Sequence, residues 1–420
     1  MTEKRERLIS KDYLLVILSA TGTCFVNYFF FSTLTPYVTM LTGSALRAGL
    51  MTTVYSLAAL AARPVTGILA DKSGRVKLLT MGAVLCALTC AGFSIFTVFS
   101  LMLIIRGLNG IGFGMHSTCA GAVVADVVPK SRLTEGIGYF GLYSTVGQMI
   151  APSIALAIVA GGTVGEYRIM FLLSMILCVF SAVCSCGLTY ERKRRKNAQS
   201  SGDSDIVLNE SESENAVEEQ PVKTLLGFEY AVFAPVAVLI LMFLAQTSIM
   251  SYITVFAQWR GFGNVGLYFA FSAIGTLLSR LFFGRIADRR GADIVIIPGI
   301  IIFAICLAIM PSVGSMLQLS LLALPCGIAQ GMVLPTFNSM LFKRCSPLHR
   351  GTASGAYYAA IDVGFAIGAP ILGAVADALD YRYIYWVSAV LAALALLLYI
   401  LIASDKRYNA SKSCTDTSFV

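Results

Sequence analysis

The chain has 420 residues, of which 57% are hydrophobic and only 13% charged, with a mean hydropathy of +0.78 and a formal net charge of +8. That is far more apolar material than a soluble core needs, and apolar runs near the ~20 residues that cross a bilayer recur along the whole length, which excludes an ordinary soluble enzyme. The positive charge invites a nucleic-acid reading, but its distribution assigns it to membrane topology instead.

Twelve spans are expected, near residues 13–40, 47–70, 78–97, 100–125, 134–158, 169–189, 228–257, 264–287, 292–310, 314–341, 350–374 and 382–403. Continuous apolar runs of this length are helical, since the strands of a membrane barrel are ~10-residue alternating segments. The polar start "MTEKRERLISKD" leads into a first span too long for a signal-peptide core, so the first helix is expected to be retained with the N-terminus in the cytoplasm.

Of the 31 Lys and Arg residues, 24 fall in the terminal and inter-span segments on one side. Four (Arg47, Arg168, Arg260 and Arg382) fall in loops on the other side, and three (Arg63, Arg106 and Arg280) lie within spans. By the positive-inside rule both termini are cytoplasmic, and the protein is expected in the inner (plasma) membrane with no nucleic-acid partner. The eleven cysteines lie almost entirely in apolar spans and read as small hydrophobes, not as disulfides or a metal site. With two histidines in the chain no metal cluster is expected, and no cofactor motif is recognisable.

Residues 190–223 break the apolar pattern with a basic, then Ser-rich and acidic stretch that has too little apolar surface to fold. It divides the chain into a six-helix half (1–189), a disordered cytoplasmic linker (190–223) and a second six-helix half (224–420). The halves are copies. At an offset of 217, Gly49, Arg63, Gly67, Asp71 and Gly74 match Gly266, Arg280, Gly284, Asp288 and Gly291. At 218, Pro129, Arg132, Thr134, Tyr139 and Pro152 match Pro347, Arg350, Thr352, Tyr357 and Pro370. Duplicated six-helix units with both termini inside are the layout of an alternating-access transporter with a site near mid-membrane.

Four motifs carry a resemblance: "GILADKSGR" at 67–75, its echo "GRIADRRG" at 284–291, "RGLNGIGFG" at 106–114 and "GQMIAPSIA" at 147–155. Together they resemble the major facilitator superfamily, over essentially the full chain, and the texture around "ARPVTGILAD" is most similar to bacterial arabinose-efflux-type and drug-efflux-type permeases. The resemblance implies an all-α membrane protein of twelve helices in two pseudo-symmetric halves that works as a secondary transporter and not as an enzyme. The helix-five stretch, with Gly147 and Pro152 but Ala151 at the second glycine, partly matches an antiporter pattern and favours efflux. Proton-coupled uptake and multidrug or sugar efflux remain the alternatives.

Within this frame Gly67 and Gly284 would let another helix approach. Asp71 and Asp288 would cap the N-termini of helices eleven and five, with Gly74 and Gly291 in the turns and Arg75, Asp126 and Arg132 as ion-pair partners, together latching the cytoplasmic side. Charges inside spans are costly and mark coupling or substrate sites. Asp362, the only acid at mid-depth, is the candidate proton carrier, or else one half of a permanent ion pair. Arg106 matches the superfamily arginine linked with proton coupling, and His116 is either a proton carrier or a packing residue. Arg63 and Arg280 either line the cavity or snorkel towards the inner surface. With Asn27, Tyr28, Gln246, Tyr252, Asn338 and Tyr358 they form the expected cavity, whose excess of cations points to a small anionic or zwitterionic organic solute. Protons and the lipid bilayer are the other expected partners, and the working unit is expected to be a monomer.

Overall fold

The computed structural model describes residues 10–129, 132, 136, 139–191, 224–225, 228–263, 265–344 and 350–404. Residues 192–223, most of the expected linker, lie outside them.

Twelve α-helices make up the described chain. The first half contains α1 (Lys11–Thr42), α2 (Ala45–Ser73), α3 (Arg75–Ile95), α4 (Phe99–Val127), α5 (Leu142–Ile158) and α6 (Val164–Cys186). The second contains α7 (Tyr230–Trp259), α8 (Gly266–Arg290), α9 (Asp293–Ile309), α10 (Met316–Arg344), α11 (Arg350–Ala378) and α12 (Tyr381–Leu398). A two-residue antiparallel pairing of Thr224–Leu225 with Phe228–Glu229 precedes α7. Nine of these helices are long and apolar enough to cross a membrane by length and composition. The others are α5, with 17 residues, α4, which carries Arg106, Asn109 and His116, and the more polar α8.

Local chemistry sets the helix ends. Ser10 accepts from the Tyr13 N–H at 3.1 Å, Thr163 and Glu166 form a reciprocal capping box, and Asp380 caps α12. The α2–α3 and α8–α9 turns each need a positive φ, +95° at Gly74 and +92° at Gly291, which is why the two polar phrases share that glycine. Leu88, Ile95, Val183 and Phe282 stay more than 60% exposed, as suits side chains that meet lipid and not water.

Packing reproduces the sequence repeat. A Cβ on Gly114 of α4 would lie 2.9 Å from the Ala59 carbonyl of α2, and one on Gly331 of α10 would lie 2.8 Å from the Thr276 carbonyl of α8. One turn earlier Gly110 meets the Tyr55 carbonyl as Gly327 meets that of Ser272. All four contacts keep the 217-residue offset, so each half buries its helices through the same glycine-on-carbonyl approach. Phe30, Phe93, Phe171, Tyr37 and Tyr167 fill the first half, with ring centroids 4.6–5.4 Å apart.

Candidate functional site

The halves close on each other at the end of the bundle that carries the α1–α2 turn. There the Asp377 carboxylate, near the end of α11, accepts from the N–H groups of Ala45 (2.7 Å) and Leu46 (3.0 Å) and from the Ser44 hydroxyl (2.6 Å). It caps α2, where a helix N-terminus favours negative charge. One turn deeper the Tyr252 hydroxyl of α7 donates towards the carbonyls of Ala369 and Ala45. Gly49 and Gly373 allow this approach: a Cβ on Gly373 would sit 2.6 Å from both the Ala45 carbonyl and the Tyr252 hydroxyl. Thr53 donates to the Ala366 carbonyl at 2.9 Å, and across the pseudo-twofold Ser153 of α5 donates to the Gly266 carbonyl of α8 at 3.1 Å. Tyr252, expected in the cavity, is instead fully buried in this closure; its hydroxyl is used to join three helices.

Deeper along the same helix pair, Arg63 of α2 and Asp362 of α11 form an ion pair between the halves, Nε to Oδ2 at 2.8 Å, with side chains 14% and 7% exposed. Ser117 of α4 accepts from the Arg63 guanidinium at 3.0 Å, and its Cζ lies 5.0 Å from the centre of the Tyr358 ring. Tyr358 is 44% exposed, so the pair borders open space. Beside it Tyr28 of α1, Tyr143 of α5 and Tyr357 and Tyr358 of α11 lie within electrostatic reach of one another and of Arg63 or Arg280. Gly147 makes room for two α1 side chains, 2.8 Å from Cys24 Sγ and 3.4 Å from the Tyr28 ring when a Cβ is built on it. Pro152 is buried one turn further on. Tyr143 and Tyr357 were not expected here; their places depend on how α5 and α11 meet α1.

Arg280 is half-buried on α8, and among the described residues its Nε has no hydrogen-bond partner. Asn338 on α10 likewise leaves its buried Oδ1 unpartnered, and Gln246 is buried in α7. Arg106 belongs to the interior of the first half instead: it is 1% exposed, its guanidinium donates to Asn109 at 2.7 Å, and Cζ stands 4.0 Å from the Tyr55 ring centre and 5.0 Å from that of Phe30. Asn109 passes the contact to Thr89 at 2.9 Å, and Tyr55 donates to Asn27 at 2.6 Å, which places Asn27 in that network. His116 is equally enclosed, with Nε2 2.9 Å from the Ser19 hydroxyl and Nδ1 3.1 Å from that of Thr23; Ser185 lies 2.8 Å from Ser19 in the same cluster.

At the opposite, charged end, Arg75 pairs with Asp126 at 2.7 Å and also reaches the Ala122 carbonyl. Glu191 accepts from the Val76 N–H at 3.0 Å and so caps α3, a contact the sequence did not suggest. Arg132 closes a short turn onto the Pro129 carbonyl at 2.9 Å. The expectation that Gly67 admits another helix is corrected: nothing lies within 4 Å of where its Cβ would be, because in this conformation the close approach of α2 and α11 occurs at Gly49 and Gly373. The side chains of Asp71 and Asp288, and Gly284, lie outside the described residues.

The family model described as Major Facilitator Superfamily matches residues 16–272 and 260–414. The staphylopine export protein of Staphylococcus aureus is 19% identical over 360 residues, covering 83% of this chain and 85% of its own. A homologue of the multi-drug resistance efflux pump PmrA from Lactococcus lactis is 25% identical over 347 residues, 80% of each chain. Among solved structures, a POT family transporter in complex with 5-aminolevulinic acid superposes with a TM-score of 0.74 at 16% identity, covering 94% of this chain and 96% of that one.

Proposed function

The chain belongs to the Major Facilitator Superfamily, and on that premise we propose that this transporter exports a small organic solute in exchange for protons. It is a multi-pass membrane transporter; both termini are read as cytoplasmic from the 24 cations at the charged end, and a single chain as the working unit. Efflux is supported by what the relatives are called, an export protein and a drug efflux pump, and by the partial antiporter pattern of α5.

The observation that carries the coupling is the Arg63–Asp362 pair, which joins α2 of one half to α11 of the other at mid-depth. While Asp362 is ionised the pair resists separation of the two helices, since parting two buried charges leaves each uncompensated. A proton on Asp362 removes that resistance. An empty, ionised carrier is therefore held and a protonated one moves; exchange further requires that bound solute loosen the pair in the proton's place. Arg106 would act at a distance, through Tyr55, which shares α2 with Arg63, and through Asn27 of α1. Contacts between the halves at Asp377 and Tyr252, and the lack of any neighbour within 4 Å of a Cβ at Gly67, support reading this conformation as open at the charged end. The charged-end phrases, with Asp71 and Asp288, are proposed to form the alternate latch when that side shuts.

The test is reconstitution into proteoliposomes that carry an internal pH dye, with a broad solute panel in counterflow. Asp362→Asn should abolish pH-gradient-driven transport while preserving solute exchange at equal pH. Loss of both from a protein that inserts and elutes normally would sink the coupling role, and solute-driven acidification in the opposite direction would identify uptake instead of export.

A further inference from the structure

The repeat puts Arg63 and Arg280 at equivalent positions, yet their surroundings differ. Arg63 is neutralised by Asp362 at 2.8 Å. Among the described residues no carboxylate lies in ion-pair range of Arg280, and its Nε is buried without a partner. The sequence explains the difference. In the 218-residue register that aligns Tyr139 with Tyr357 and Pro152 with Pro370, the position equivalent to Asp362 is Ser144. The two halves thus share the arginine but not the acid.

A guanidinium within a membrane span is costly unless an anion or a set of acceptors compensates it. The groups near Arg280 are neutral: Tyr28 of α1 and Tyr357 of α11, one from each half and both partly buried, lie within reach of its charge. Arg106 does not compete for the same ligand, being enclosed between Tyr55 and Phe30 inside the first half. The three intramembrane arginines therefore resolve into one that is paired, one that is enclosed, and one that is half-buried with no partner on its Nε among the described residues.

We propose that Arg280 anchors an oxyanion of the transported solute, a carboxylate or a phosphate-type group, with Tyr28 and Tyr357 beside it. The solute supplies to Arg280 the charge that Asp362 supplies to Arg63. The inference rests on the transporter reading above, and it makes the loaded cavity nearly charge-balanced, with two cations facing two anions. A guanidinium suits this role because its planar fork binds either oxyanion through two parallel hydrogen bonds.

Purified protein tests it by thermal shift with four probes of one size: benzoate, phenylphosphonate, benzamide and benzylamine, each in the millimolar range at constant ionic strength. One or both anions should raise the apparent Tm by several degrees, the larger shift identifying the carboxylate or the phosphate-type group, while benzamide and benzylamine leave it unchanged. Arg280→Gln should remove the shift and Arg280→Lys retain part of it. Ser144→Asp, which restores the missing acid, should remove it in a protein that keeps Arg280 and so controls for misfolding. An equal shift with benzamide, a shift that survives Arg280→Gln, or no shift with either anion overturns the proposal. If the anion effect is absent while pH-driven transport persists and still depends on Asp362, the anion site falls and the transporter reading stands.

Discussion

Asp377 meets Ala45 across the two halves: the last carboxylate of α11 accepts from the first N–H of α2 at 2.7 Å, 332 residues away in sequence. This single contact ties an acid to a helix N-terminus at the end of the bundle where the halves are shut. Its removal should bias the protein towards opening at that end. Asp377→Ala is expected to cost the closed state about 1 kcal/mol, about fivefold in a two-state equilibrium. Maleimide labelling of a cysteine placed at Ala369, in a cysteine-free background, should rise accordingly; unchanged labelling would show that Tyr252 and the glycine contacts hold the closure without it.

The same end closes only because Gly49 and Gly373 lack side chains. Gly373→Val would push atoms into the Ala45 carbonyl and the Tyr252 hydroxyl, both 2.6 Å from a Cβ there. Each half packs internally without this contact, so the variant should insert and purify normally yet fail to complete a transport cycle. The check is counterflow beside size-exclusion behaviour. Near-normal counterflow would mean that the two helices slide apart at little cost.

Arg63 and Asp362 should show strong coupling in stability. Removing either alone leaves the other charge buried, at about 3–5 kcal/mol, whereas replacing both by apolar or neutral residues relieves most of that cost. Thermal denaturation of Arg63→Met, Asp362→Leu and the double variant should therefore give a double variant more stable than at least one single. Additive losses would mean that water reaches the pair freely and screens it.

Much of the fold is legible in the sequence because bilayer thickness and helix rise constrain it so tightly: the spans, the twelve-helix layout and the turn glycines Gly74 and Gly291 follow from local pattern, whereas Gly67 meets no helix in this conformation. The site was legible only in part. Arg63, Asp362, Tyr28 and Tyr358 were marked as polar groups in apolar helices, and they do gather between the halves. What stayed hidden is partnership. Asp362 pairs with a residue 299 positions away, and nothing local says that Arg280 lacks such a partner until the repeat register is laid over the structure. Asp377 carries no local signal for the same reason, since the groups that bond it lie at the start of α2 in the other half. Tyr252 offers a hydrogen bond and an aromatic face that suit a cavity; burial and two carbonyl contacts make it part of the closure.

The two readings of His116, proton carrier or packing residue, now separate. Both ring nitrogens are engaged, by Ser19 at 2.9 Å and Thr23 at 3.1 Å, and Ser19 is itself tied to Ser181 and Ser185 of α6. The cluster joins α1, α4 and α6 of one half and is nearly sealed, with the His116 side chain 1% exposed, so a proton has no evident route from it to the space between the halves. Removing the ring costs two buried hydroxyls, those of Ser19 and Thr23, one partner each, at up to about 1–3 kcal/mol apiece. His116→Leu should therefore lower the Tm by several degrees, and His116→Gln, which keeps a donor and an acceptor, should lower it less. Neither should move the pH at which transport is half-maximal, whereas variants of Asp362 should abolish that dependence. A displaced pH midpoint in His116→Gln, with the Tm close to that of the parent protein, would put His116 on the proton path and leave Asp362 as only one of its stations.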